Sequence, residues 1–386
     1  MHDLIIIGGG MSGISVAHHF RDHDILILER DELLAEASGK NAGFVIGGFG
    51  EHFSRTVARL GLRHAVEIQE IHRSCHKRMK EVSTILDGSY QTTGSYALAV
   101  DEREREELLQ SCELLQNQGY SVEWIERPET GLIDCRGALL NREDGILDSS
   151  MFWRRMADNL PVQTHCEVRS VQNQVDSIRI ETSQGSFTTE RVVFCLNAFA
   201  GELVPETRGR FIPVRGQMLE IPLQDRPKTN RPIFTHRGDI YWRYLNHTLI
   251  FGGLECMVPE KEVGIARDVS LRIQDAQIHW IQDHFDPILV GNNPRPSRSW
   301  SGTMAFTVDG FPFVGRLPQK NRYILGGLCG LGHSYAMECA FWLHELILHR
   351  RNVIPPYCSS DRIDTLPLYE GGDWRRTYEA WNHGIH

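Results

Sequence analysis

Asp3-Leu4-Ile5-Ile6-Ile7-Gly8-Gly9-Gly10-Met11-Ser12-Gly13 stands near the start of the chain. Residues 3–7 read as a parallel strand buried on both faces, because the apolar run is unbroken. The glycines that follow fit GxGxxG through Gly8, Gly10 and Gly13. Apolar residues then recur at helical spacing at Ile14, Ala17 and Phe20, and a second β-like run, Ile25-Leu26-Ile27-Leu28, ends in Glu29. Strand, turn, helix, strand and acid within about 30 residues read as a dinucleotide-binding unit. Gly8 permits the tight turn, Gly10 lets the backbone approach a pyrophosphate, and Gly13 lets helix and sheet pack closely. The helix N-terminus at Met11 and Ser12 turns N–H groups and a partial positive charge toward phosphates. Glu29, with Arg30 beside it, is placed to accept from ribose hydroxyls, and its charge would repel a 2′-phosphate. The spacing does not separate FAD from NAD, and a glycine-rich turn of an unrelated α/β protein is the alternative.

The chain around this unit has 386 residues, which favours two domains over one. Hydrophobic residues are 41% and charged residues 24%, values that exclude a largely disordered chain. The formal net charge of −9 argues against a general nucleic-acid binder. Nine cysteines are scattered with no CxxC pair, so neither a disulfide framework nor a zinc site is expected. Free thiols point to the cytoplasm. The first apolar run is too short for a signal peptide or membrane span, and the stretch 323–348 is broken by glycines and by His333, Glu338, His344 and Glu345.

Small residues also dominate Ala37-Ser38-Gly39-Lys40-Asn41-Ala42-Gly43, just beyond the second strand. Further on come Gly145-Ile146-Leu147-Asp148 before a helix, His165-Cys166-Glu167-Val168 as a strand, and Val192-Val193-Phe194-Cys195-Leu196-Asn197-Ala198 as a buried strand entering a turn. Near the C-terminus stand Trp300-Ser301-Gly302-Thr303, Thr307-Val308-Asp309-Gly310-Phe311-Pro312-Phe313-Val314-Gly315, and Gly326-Gly327-Leu328-Cys329-Gly330-Leu331-Gly332-His333 before an apolar helix. In this order the segments resemble the D-amino acid oxidase superfamily of FAD-dependent amine and amino-acid oxidoreductases over residues 3–350. Within it they are most similar to the gamma-glutamylputrescine oxidoreductase, glycine oxidase and sarcosine oxidase branch.

The resemblance implies an α/β chain. A discontinuous Rossmann-like FAD-binding domain (1–87, 142–215 and 300–350) carries an α+β substrate domain with an antiparallel sheet (88–141 and 216–299). The tail, 351–386, wraps the surface or contacts another subunit of a homo-oligomer. The resemblance places Ser38, Gly39, Asn41, Ala42 and Gly43 along the pyrophosphate and flavin, and Val168 against the adenine. Asn197 and Ala198 close over the cofactor, and Gly302, Asp309, Gly330, Leu331, Gly332 and His333 surround the flavin. Helices are expected at 57–86, 101–118 and 269–285, and strands at 95–100, 121–125, 218–221, 240–244 and 248–251.

Relatives oxidise a C–N bond by hydride transfer to flavin N5, giving an imine that hydrolyses. The flavin carries this chemistry, so no Ser/His/Asp arrangement is required. Two departures from the family pattern matter. Glycine oxidase-like members place an Arg where this chain has Met304, and an apolar side chain cannot supply a bidentate carboxylate pair. An amine substrate is therefore favoured over a simple α-amino acid, unless Arg243 or another cation substitutes. No Cys lies in 300–309 and no His in 36–43, so FAD is expected to be noncovalent. Cys329 is read as a packing residue. On the strand at 240–244, Tyr241 and Arg243 point one way and Trp242 and Tyr244 the other. Tyr241 and Arg243, with His333, are the candidate catalytic residues; core packing, or for His333 a helix cap, is the alternative. Arg215 reads as an ion-pair residue at the domain junction, and Lys40 as solvated, phosphate-facing or oxygen-activating. The expected partners are a small amine and either oxygen or another electron acceptor. An amino-acid oxidase or dehydrogenase, or a noncatalytic FAD-binding assembly protein, are the rival readings.

Overall fold

A computed structural model of the chain describes residues 1–48, 51–86, 88–255, 262–372 and 374. The strand His2–Ile7 lies between two parallel neighbours, Ile25–Leu28 and Gly185–Phe194. Its side chains alternate between two cores, which explains the unbroken apolar run. Leu4 and Ile6 join Val16, Ala17, Ala340 and Leu343 from two helices. Ile5 and Ile7 join Val192, Phe194, Phe211 and Phe313 on the other face. The sheet runs Val168–Asn173, Ile178–Thr182, Gly185–Phe194, His2–Ile7, Ile25–Leu28, Val162–Gln163, and Arg322–Gly326 adds in parallel to Gly185–Phe194. The helix Met11–His19 leaves the first strand through the glycine turn, and the last long helix, Gly332–Leu348, packs beside it.

A second sheet of eight strands is antiparallel except where Ile233–Thr235 meets Ser95–Leu98. Its edge pairs Phe211–Pro222 with Arg298–Thr307 in continuous register, from Phe211 opposite Thr307 to Glu220 opposite Arg298. The boundaries expected at 215/216 and 299/300 fall inside these two strands. A short third sheet, Phe44–Val45, Gly145–Leu147 and Tyr90–Gln91, lies between the large ones in sequence. The helix Phe53–Leu86 bends at Gly61 (φ 79°, ψ 156°) and buries Ile68, Ile71, Cys75 and Met79 at helical spacing.

Two expectations are corrected. His165–Glu167 are not strand: His165 turns the backbone at φ 54°, and pairing starts at Val168. The strand expected at 218–221 runs from Phe211 to Pro222, because partners on both sides extend it. The tail, as far as it is described, folds onto its own chain. Arg362 donates to both carboxylate oxygens of Asp309, at 2.7 and 3.2 Å, and to the Phe311 carbonyl at 2.7 Å. Trp374 packs on Phe306 with ring centroids 4.3 Å apart; Trp381 lies outside the described residues. Among the described residues no helix is long and apolar enough to cross a membrane.

Candidate active site

The glycine turn is shaped by contact. Gly8 sits at φ 112°, and a side chain there would overlap the Cys195 carbonyl. One on Gly13 would overlap the Gly8 carbonyl, and one on Gly10 would come within 2.9 Å of Ser38 Oγ. Gly13 therefore serves packing and lines neither of the two cavities described below, whereas Gly10 keeps the floor of a groove open. At the helix N-terminus the Met11 N–H donates to Ser38 Oγ at 3.0 Å, and no side chain caps Gly10. Glu29 accepts from the backbone N–H of Gly9 at 2.6 Å and of Asp31 at 2.8 Å. These bonds aim the carboxylate and use about half of its four acceptor positions. A cavity of about 110 Å³ is lined there by Gly8, Glu29, Arg30, Val168 and Phe199. The Arg30 guanidinium stacks 4.6 Å above the Phe199 ring.

This small cavity shares Gly10, Ala37, Ser38, Cys195 and Asn197 with a cavity of about 1400 Å³ between the two large sheets. A narrow acid-ended pocket, a glycine-capped helix N-terminus and a broad chamber beyond fit the adenosine, pyrophosphate and flavin portions of an adenine dinucleotide in that order. The chamber wall includes Met11, Ser12, Asn41, Ala42, Gly43, Gly302, Gly330, Leu331, Gly332 and His333. Gly39, Ala198 and Asp309, expected at the cofactor, line neither cavity. Gly39 packs on the Leu34 carbonyl. Ala198 is core, and Asp309 is the buried anchor for Arg362.

Several wall residues hold the chamber's shape instead of presenting free groups. Asn41 donates to the Ser38 carbonyl at 2.7 Å and accepts from the Gly43 N–H at 2.8 Å. Asn197, at φ 49°, donates to the Thr303 carbonyl at 2.7 Å and accepts from the Ala305 N–H at 3.1 Å. His333 Nδ1 lies 3.0 Å from the Phe44 carbonyl, which can only accept, so Nδ1 carries the proton. Nε2 lies 3.0 Å from Ser149 Oγ, whose hydroxyl donates to the Ser38 carbonyl at 3.0 Å. Burial lowers the His333 pKa to about 4. Both ring nitrogens thus face polar atoms of the wall, and burial keeps the ring neutral at pH 7.

On the sheet opposite, Tyr241 lines the chamber and meets Phe44 edge-on at 5.8 Å. Trp242 and Tyr244 point into the core beneath. Arg243 points the same way as Tyr241 but lines neither cavity. It lies behind Gly43 and donates to the Leu147 carbonyl at 3.3 Å, bracing the loop. Met304 lines the wall, as do Val214, Met218 and Glu255. Arg215 is held by Glu262 at 2.7 Å and Asp268 at 3.0 Å, and Lys40 lies 3.6 Å from Glu36. Burial pushes the Cys329 thiol up to about 11, so it is no thiolate at neutral pH.

Sequence reasoning missed Glu255 and the chamber's outer rim. The rim joins Glu51 to Arg59 at 2.8 Å and Arg237 to Glu107 at 2.8 Å. The Thr235 hydroxyl donates to Glu104 at 2.8 Å. Glu255 stands two positions past the end of the strand Thr248–Gly253, which does not say which way it points; the rim joins three distant segments and left no signal.

A nucleotide-binding sheet facing an antiparallel sheet across one chamber is the build of a flavoprotein oxidoreductase. Residues 3–346 match the family model of the DAO, FAD dependent oxidoreductase, family, and the chain belongs to that family. It is an FAD-dependent amine or amino-acid oxidoreductase, as the sequence resemblance implied. Glycine oxidase of Bacillus licheniformis is 23% identical over 362 residues, spanning 84% of this chain and 86% of that protein. The 4-methylaminobutanoate oxidase (formaldehyde-forming) of Paenarthrobacter nicotinovorans is 27% identical over 246 residues, 58% of this chain and 28% of that protein. The crystal structure of glycine oxidase from Geobacillus kaustophilus shares the fold with TM-score 0.74 at 20% identity, covering 92% of this chain and 96% of that one. L-proline dehydrogenase from P. horikoshii does so with TM-score 0.77 at 18% identity, covering 95% and 99%.

Proposed function

We propose that this enzyme oxidises a primary or secondary amine, not a simple α-amino acid, with FAD held noncovalently in the cytoplasm. The observation that carries the reading is the wall at Met304. Its neighbours Val214, Met218 and Tyr241 are apolar or neutral, and the cations Arg215 and Arg243 are held away from the chamber. A substrate carboxylate at this wall would be desolvated without a bidentate partner, a cost of several kcal/mol. Bound FAD supplies the hydride acceptor for the carbon next to nitrogen, leaving an imine for water to hydrolyse.

The chain's own residues bind and orient. Gly8, Gly10, Met11, Ser12 and Glu29 would hold the dinucleotide end, with Arg30 and Val168 at the adenosine. The N-terminus of Gly332–Leu348 opens on the chamber through Gly330, Leu331 and His333. Its partial positive charge favours negative charge there. Phe44 and Tyr241 exclude water and favour a neutral reacting amine.

Anaerobic titration of the yellow protein with alkylamines, polyamines, N-methyl amino acids and D-amino acids tests the reading. Amines are expected to bleach the oxidised flavin band, and readmitted air then tells oxygen from another acceptor. Bleaching by glycine, sarcosine, proline or D-alanine alone would overturn it.

A further inference from the structure

We infer that the C-terminal end of the helix Gly332–Leu348 binds one divalent cation of the zinc type, with His344, Glu345 and His349 as its ligands. The inference is independent of the amine reading, because the site lies at the far end of this helix from the chamber. At about 1.5 Å per residue, His344 is roughly 18 Å along the axis from Gly332. One ligand atom from each of the three residues lies within 4.8 Å of the other two. His344 Nδ1 is 3.8 Å and His349 Nε2 is 3.9 Å from the same oxygen, Glu345 Oε1. Both distances are too long for hydrogen bonds. A tetrahedral ion with bonds of about 2.0–2.1 Å holds its ligand atoms about 3.4 Å apart, so small side-chain rotations close the site.

A second observation is an unused nitrogen. His344 Nδ1 is shielded from water and makes no hydrogen bond among the described residues. Its ring is wedged between those of Phe20, His349 and His19, with centroids 5.2, 5.3 and 5.9 Å away. A buried imidazole nitrogen without a partner is costly, and a metal bond would remove that cost. The helix end is built around Glu345. Its carbonyl accepts from the N–H groups of His349 and Arg351, both at 3.1 Å, as Arg350 turns the backbone at φ 55°. This sets His349 one turn beyond Glu345. The other carboxylate oxygen, Oε2, lies 3.1 Å from Arg351, whose side chain is 70% exposed, so that ion pair is weak and leaves Oε1 to the imidazoles. Arg351 and His23 are the cations that oppose a metal here; the negative end of the helix dipole favours one. Two imidazoles and a carboxylate, with a fourth position open to water beside the exposed His349, suit Zn²⁺, Co²⁺ or Ni²⁺. Mg²⁺ and Ca²⁺ demand more oxygen ligands than these residues offer.

Calorimetric titration of Zn²⁺ into the chelator-treated, FAD-loaded protein tests the site. One ion per chain is expected with a Kd of about 1 μM or tighter, and Co²⁺ or Ni²⁺, but not Mg²⁺, should compete. His349→Ala removes an exposed ligand and should weaken binding roughly 100-fold, since losing only a partner behind a ligand costs about 10–100-fold. Glu345→Gln should weaken it likewise. His279→Gln, at an exposed histidine on the helix Leu271–His284, should bind as wild type does. Zn²⁺ should also raise the thermal midpoint of the wild type and leave that of His349→Ala in place. No binding at about 100 μM Zn²⁺, binding that survives His349→Ala, or equal loss in His279→Gln overturns the inference. His349→Ala decides alone if Glu345→Gln does not fold. None of these readouts uses flavin bleaching, so failure of this site and failure of the amine reading are separate results.

Discussion

At the scale of single residues, the two side chains at the chamber's inner end form a unit. Met304 and Glu255 both approach Gly216, so a change at one is felt by the other. Met304→Arg alone would set a guanidinium beside the Glu255 carboxylate and pair with it. The expected outcome is no gain for carboxylate substrates. In Met304→Arg with Glu255→Gln the guanidinium has no acidic partner at that wall. Affinity for ω-amino carboxylates should then rise about tenfold or more over wild type, read as spectral perturbation of the bound flavin. Equal effects in single and double variants would show that the two residues do not act together. Met304 was legible as a departure from the family pattern. Glu255 was not, because its entry into the chamber depends on strand register, which the sequence does not state.

At the scale of elements, the parts legible in advance are those whose signal is local. Residues 3–29 carry strand, turn, helix, strand and acid within one short window, and the structure forms each of them. Helix ends were legible to within a few residues where a cap marks them, as Asp101 does by accepting from the Glu104 N–H at 2.7 Å. The pairing of Phe211–Pro222 with Arg298–Thr307 closes a long loop, and no local periodicity reveals its length. The motif around Asp309 points to a cofactor contact, but its partner Arg362 lies in a tail whose sequence carries no chemical motif. That pair sets the element-scale prediction. Asp309 is 1% exposed, and Arg362 also stacks 4.1 Å over Phe313 and donates to the Ser359 carbonyl. Arg362→Ala leaves a buried carboxylate unpaired and should cost roughly 3–5 kcal/mol of stability. Arg362→Lys, with charge but no fork, should fall between. Denaturant unfolding of the three proteins checks this, and an unchanged midpoint in Arg362→Ala would refute the anchoring role.

At the scale of the whole molecule, buried histidines set the response to acid. Burial lowers His72 and His76 to about 3 and His333 to about 4. The same imidazoles in the unfolded chain titrate near 6.5. Below that pH the unfolded chain binds protons that the folded chain refuses, so stability falls as pH drops from about 6.5 toward 4. His18 and His19, lowered to about 4 and about 3 chiefly by burial, act in the same direction. Asp144 acts in the opposite direction. Burial raises it to about 7, so the folded chain holds its proton between that pH and the ordinary carboxylate range and gains stability as pH falls. Five imidazoles oppose this one carboxyl, so the net effect is a loss of stability as pH falls through the window. Thermal melts of the FAD-loaded protein should therefore keep a level midpoint above pH 7 and lose it steadily between pH 6.5 and 5. Two of these histidines touch the chamber's frame: His333 at the Phe44 carbonyl and His76, 3.4 Å from the Ser334 hydroxyl. Acid unfolding should consequently release FAD in the same transition, read as the rise in free-flavin fluorescence. A midpoint that stays level to pH 5 would show that these imidazoles gain access to water or to a proton acceptor in the folded chain.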